Sequence, residues 1–430
     1  MRARVRVLAL VTVVLAAAAG CTSGGRDGAG PAAAAATATT THQHAAAAAT
    51  LAAGASPREV RARFEQLLGQ HALLAVRLAR SEVAGPPGLQ QVVEGSLAAN
   101  AAALTQAVSA TFDGAQAGRF RRLWDGYTAQ LDAYAEGTAG GNDAAVQEAR
   151  ADLVAGCRDW GAWLAVASGG RVEAAQATRA AQARVEELLD QVDAYAGKDY
   201  HRAYQLEGQV YQRSYGAGTS VALAGLTTKE AAGVDTAPEK LRSAFAMLLG
   251  EHMELIVDAQ RATFAGSPEF DAAAAQVNAN TATLAKALGG IVGPAKAKEF
   301  QSAWANHVEG LMAYTAAAAG KDEAAKAVAK ENLDGFADRL ALFFSDVVRN
   351  VLATDPLTDA ITSHDRHLMD QVDAYAAKDY ARAQQLQDDG YQQMVGVANV
   401  LVDAIEKVMA KSLPAGGSQT GGGGTARSHR

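Results

Sequence analysis

Cysteine is almost missing from this chain of 430 residues, which has only Cys21 and Cys157. That excludes a disulfide scaffold and a cysteine-ligated metal cluster. Excess positive charge is missing too. The formal net charge is −7, and it becomes −10 if Arg2, Arg4 and Arg6 leave with an N-terminal leader, so the chain repels phosphate backbones and no nucleic-acid partner is expected. Several motifs that announce chemistry are absent: Glu-x-x-His, Cys-x-x-Cys-His, His-Glu-x-x-His, a phosphate-cradling glycine loop and Gly-x-Ser-x-Gly. A ferritin-like di-iron centre, an attached haem, a zinc protease helix and a hydrolase elbow therefore lack support. Proline is scarce and no run with strand periodicity occurs, while 49% of residues are hydrophobic, much of that alanine. The composition is that of a helical protein.

The N-terminus carries its own signal. Residues 1–20 have a positive start, an apolar run from Val7 to Ala19 and a small-residue exit, the build of a secretory signal peptide. The exit, Ala18-Ala19-Gly20-Cys21, resembles a bacterial lipobox, in which the cysteine after the cleaved bond takes a diacylglycerol. Acyl chains on Cys21 would hold the protein on the outer face of the cell membrane, outside the cytoplasm. Residues 21–56 are Ala-, Thr- and Gly-rich, cannot build a core and are expected to be a tether; His42 and His44 lie in it as solvated linker residues. Residues 414–430 form a second, Gly-rich tail. Cys157, with no second thiol nearby, is expected to be a buried core residue.

Between these ends the chain is duplicated. Phe64 to Ala224 realigns on Phe245 to Ala404 at an offset of 180 or 181 residues, and the block Asp190–Leu206 matches Asp370–Leu386 at fourteen of seventeen positions. Apolar residues recur at spacings of three and four, and the filler is Ala, Glu, Gln, Lys and Arg. Pro57, Pro238, Pro268 and Pro356 are placed at helix starts, mostly behind Ser56, Ser267 and Asp355 as caps. The pattern predicts an all-α protein: two tandem, homologous antiparallel bundles of about six helices each, four-helix-bundle-like, over residues 57–225 and 236–413.

Function is sought where a polar residue occupies a position that the periodicity assigns to the core, because an unpartnered polar group costs a few kcal/mol there. In the second copy these are His252, Asn280, His307, Asn332, His364 and His367; in the first they are His71, Asn100, Tyr127, Asp152, Arg184 and Glu187. Converging imidazoles suit copper or zinc, and two at i, i+3 on one helix can chelate one ion. The expected ligands are His252, His307, His364 and His367, with Asn280, Glu254 and Met369 around them; Met253 and Met312 lie close by in sequence and would favour copper. The alternative is that the histidines only satisfy one another in the core.

Leu248-x-x-x-His252-x-x-Leu255, Asn280, Trp304-x-x-His307, and His364 fifteen residues before Asp379-Tyr380 resemble the pattern of a family of secreted or surface all-helical proteins of Gram-positive bacteria. The first copy resembles it more loosely, with Tyr127 and Arg184 in place of two histidines. Actinobacterial members are often labelled copper amine oxidase, although members have no established activity. Amine oxidation would require a tyrosine in an Asn-Tyr-Asp/Glu context, which this chain lacks, so the resemblance implies copper at most, with His252, His307 and His364 as the matching histidines. The expectation is a lipid-anchored protein that binds copper or zinc without turnover. A structural or partner-binding surface module is the alternative, and a copper-dependent redox enzyme comes last.

Overall fold

The computed structural model describes residue 51 and residues 54–412. The leader, Cys21, the His42/His44 pair and the Gly-rich tail lie outside the described residues. Among those residues there are thirteen helices and no strand. Six long helices make up the first copy: α1 (Pro57–Ala84), α2 (Leu89–Thr111), α3 (Gly114–Gly140), α4 (Asp143–Ala167), α5 (Ala174–Ala196) and α6 (Tyr200–Gly225). A short α7 (Thr228–Val234) joins them to α8 (Ala237–Ala265), α9 (Phe270–Val292), α10 (Pro294–Gly320), α11 (Glu323–Val347), α12 (Thr354–Ala376) and α13 (Tyr380–Ser412).

Local chemistry sets the helix ends. At the start of α1 the Glu59 amide donates to Ser56 Oγ at 3.3 Å, and the Ser56 amide donates back to the Glu59 carboxylate at 2.7 Å, a capping box that leads into Pro57. The strongly repeated block encodes a sharp helix–turn–helix. Lys198 and Lys378 both adopt φ 62°, stopping α5 and α12, and the next residue caps the following helix: Asp199 accepts from the Arg202 amide at 3.2 Å, and Asp379 from the Arg382 amide at 3.0 Å. Two proline placements shift. Pro268 precedes α9 by two residues, and Pro356 sits inside the first turn of α12, so that Asp355 is not the cap. The ring is tolerated there because amides of the first turn have no acceptor within the helix.

In the first copy α1 packs on α6, α2, α3 and α5; in the second, α8 packs on α13, α9, α10 and α12. The two sets share a seam in which α1, α2 and α6 meet α8, α9 and α13, and the described residues belong to one compact unit. Equivalent residues face each other across it. Tyr211 and Tyr391 bring their hydroxyls to 3.2 Å; Tyr211 donates to the Met247 carbonyl at 3.0 Å, and Tyr391 donates to the equivalent Gln66 carbonyl at 3.3 Å. Close approach requires glycine at the paired positions Gly69 and Gly250, where a Cβ would lie 2.9 Å and 2.8 Å from Tyr211. Around the tyrosines the seam is polar and buried. Arg77 pairs with Glu254, Arg80 with Glu207 and with Asp258 at 2.6 Å, and Ser96 donates to Asp388 at 2.8 Å.

Candidate metal centre

Three mutually packed helices, α8, α10 and α12, bring one histidine each to a common point. His252, His307 and His364 are buried, with 0%, 1% and 4% of their surface exposed. Their ring centroids form a nearly equilateral triangle with sides of 6.0, 6.1 and 5.9 Å. One nitrogen from each ring lies within 4.8 Å of the others. Tetrahedral ligands about 2.0–2.1 Å from zinc stand about 3.4 Å apart, so the set closes on one ion with ring movements on the order of 1 Å.

Donor chemistry fits an ion. Nε2 of His252 and both ring nitrogens of His307 and of His364 are buried without a hydrogen-bond partner among the described residues. Leaving such groups unpaired costs about 1–3 kcal/mol each. Burial, aided by the neighbouring imidazoles, holds His252 and His307 well below the ordinary histidine range, and burial with the charge of His367 brings His364 down to about 3. All three rings are therefore neutral at physiological pH, the form that ligates metals.

Two further groups shape the site. Asp365 Oδ1 lies 3.4 Å from His307 Nδ1 and is itself buried, which pushes its carboxyl well above the usual carboxylate range. A carboxylate beside the far nitrogen of a ligating imidazole is the common way of fixing ring orientation. The Trp304 indole donates to His252 Nδ1 at 3.3 Å. A neutral imidazole that accepts at Nδ1 carries its proton on Nε2, so an ion at Nε2 must compete with this bond. His307 also stacks on Phe336, with ring centroids 4.6 Å apart and planes 18° apart. Beside His307 and His364 opens an apolar cavity of about 500 Å³, walled by residues such as Phe300, Leu340, Leu357 and Met394.

Four expected participants lie elsewhere. The structure does not bring His367 into the group; its Nδ1 lies 2.7 Å from the Ser363 carbonyl on its own helix. The reason is angular: at about 100° per residue, His364, Asp365, Leu368, Met369, Gln371 and Val372 form the buried stripe of α12, and His367 falls about 60° behind His364, off its edge. Asn280 donates to the Leu248 carbonyl at 3.0 Å and to Glu251 at 3.1 Å, repeating what Asn100 does toward Leu67 at 3.0 Å and Gln70 at 3.3 Å. It ties helices together in both copies. Glu254 belongs to the seam, paired with Arg77 and accepting from Gln387. Met369 is buried in the hydrophobic core, but does not line the cavity. The other two thioethers are also engaged elsewhere, Met253 against Gly390 and Met312 as acceptor for the Thr263 hydroxyl at 3.7 Å.

Asp365 was not anticipated, although its position directly after His364 was visible; adjacent residues on a helix usually diverge, and only a wide buried stripe keeps both inside. Cys157 is buried, donates to the Leu153 carbonyl at 3.2 Å, and has its thiol pushed up by burial, as befits a core residue. Compared with the known protein families, with the curated proteins and with the solved structures, the chain matches none.

Proposed function

We propose that this protein binds one transition metal ion, copper or zinc, through His252, His307 and His364, with Asp365 orienting His307, as a lipid-anchored protein outside the cytoplasm that performs no turnover of its own. The observation that supports this reading best is the convergence of three buried, neutral imidazoles, of whose six ring nitrogens all but His252 Nδ1 lack a hydrogen-bond partner among the described residues. Three nitrogen ligands leave one position of a tetrahedral ion open. The apolar cavity beside His307 and His364 is the route by which a small molecule would reach it. The direct test is metal content. Protein purified without chelator and analysed by mass spectrometry should hold about one copper or zinc per chain, and the triple substitution of the three histidines by alanine should hold none; substoichiometric metal that is unchanged by the substitutions would overturn the reading. For the anchor, Cys21→Ser should release the protein from membranes, and unchanged membrane association would refute lipidation there.

A second reading is that the histidines are structural, in a helical surface module that binds no metal. The Trp304 bond to His252 favours it, since that nitrogen is satisfied without an ion. The two readings part on stability in metal-free buffer.

A further inference from the structure

The cavity beside the histidines has a counterpart in the first copy, of about 300 Å³, lined by Trp124, Tyr127, Cys157, Trp160 and Arg184 among others. The equivalents of Trp124, Tyr127, Trp160 and Arg184 are Trp304, His307, Leu340 and His364, all of which line the second-copy cavity. The two pockets thus share these four positions and differ in what fills them: a phenol and a guanidinium in the first copy stand where two imidazoles stand in the second.

Arg184 is the unusual member. It is 8% exposed, and among the described residues it makes no hydrogen bond or ion pair; its Nε is buried without a partner. Of the other buried arginines, Arg61, Arg77, Arg80 and Arg242 each meet a carboxylate, and Arg63 donates to the Gln66 side chain at 3.3 Å. Only the Nε of Arg184 is shut off from solvent; the two terminal nitrogens stay accessible in the pocket with no protein partner among the described residues, so their donors are open to an incoming anion. The guanidinium carbon of Arg184 stands 6.0 Å from the ring centres of both Tyr127 and Trp160, contacts that place the charge without satisfying its N–H donors. A second donor lies in the same pocket: the Trp124 indole N–H, whose equivalent on Trp304 is spent on a histidine, is buried here with no acceptor among the described residues. His71, tilted against Trp124 with ring centroids 4.6 Å apart, cannot take over the charge; burial, with the Arg184 cation adding to it, holds its ring at about 3 and therefore neutral.

We propose that this pocket binds a small monoanionic carboxylate with a planar ring, its carboxylate on Arg184 and its ring among Trp124, Tyr127 and Trp160. A guanidinium presents parallel N–H donors that match a carboxylate. The volume holds on the order of a dozen non-hydrogen atoms. Asp152 and Asp159, exposed residues of the pocket lining, disfavour phosphate or sulfate by repulsion and leave a single negative charge as the best match. The site is independent of the metal reading, since it uses none of the three histidines.

The test is a titration of the full chain with benzoate, followed through tryptophan fluorescence and by calorimetry, beside its neutral isostere benzamide and beside sulfate. The expected result is saturable benzoate binding, with benzamide weaker by about tenfold to a hundredfold, the usual range for a lost charge-assisted hydrogen bond, and sulfate weaker still. Arg184→Met should abolish the preference for benzoate over benzamide while benzamide affinity stays within about twofold. The wild-type preference is decisive by itself if that variant does not fold. No saturation, equal affinity for benzoate and benzamide, tighter sulfate binding, or a preference that survives Arg184→Met in a folded protein would each overturn the proposal.

Discussion

Replacing His307 by phenylalanine separates a metal site from a structural cluster. The substitution removes two ring nitrogens that are buried without hydrogen-bond partners among the described residues, each of which costs about 1–3 kcal/mol when unpaired. It adds ring volume, and overpacking a core ordinarily costs about 1–3 kcal/mol. Here His307 borders a cavity of about 500 Å³ and already stacks on Phe336, so the larger ring has both room and an aromatic partner. Asp365 loses only a 3.4 Å contact. In chelator-treated buffer His307→Phe should therefore match the wild type or exceed it by up to about 3 kcal/mol, against the usual expectation that a polar-to-aromatic core change destabilises. With zinc or copper at a thousand times the dissociation constant, the wild type should gain about 4 kcal/mol by mass action, and the variant none. Urea denaturation of both proteins, with chelator and with metal, measures all four quantities. A loss of more than about 2 kcal/mol in the metal-free variant, together with no gain of the wild type on adding metal, would refute the metal site and leave the structural reading standing.

Three more outcomes follow from the geometry. Trp304→Phe removes the N–H that competes for His252, so metal affinity should rise by roughly fivefold, the equivalent of about one hydrogen bond; a fall in affinity on titration with a chromophoric chelator would show that the indole helps hold the ion. Arg77→Met strands the Glu254 carboxylate in the seam and should cost about 3–5 kcal/mol in chemical denaturation, whereas the double variant Arg77→Met, Glu254→Met should recover most of the loss. Glu82, whose carboxyl is raised to about 8 by burial and then by Asp132 and Glu136, binds its proton more tightly folded than unfolded, so stability should fall as pH rises from about 4.5 to about 8. Because Glu82 is only partly buried as a residue, solvent screening discounts the shift and the fall attributable to it is on the order of 1–2 kcal/mol; Glu82→Gln should remove that fall, and an identical pH dependence in the variant would sink the assignment.

How much of this was legible depended on whether the cause was local. The helices and the duplication were visible because periodicity, caps and repeated residues act within a few positions: Lys198-Asp199 and Lys378-Asp379 encode the same turn with the same atoms. His252, His307 and His364 were legible for a related reason, since each interrupts an apolar stripe and must therefore face inward. His367 misled because spacing of three places residues on one side of a helix without saying where the edge of the buried stripe runs. Glu254 was inward-facing too, but there are two insides in this molecule, the core of the second copy and the seam between copies, and a one-dimensional pattern does not distinguish them. The seam is written in long-range pairs, Arg77 with Glu254, Ser96 with Asp388 and Tyr211 with Tyr391, that no window along the chain contains. What the duplication does convey is contrast. Once the copies are aligned, Arg184 stands where His364 does and Tyr127 where His307 does. With the scaffold held constant, that exchange of imidazoles for a guanidinium and a phenol is the clearest functional difference between the two halves.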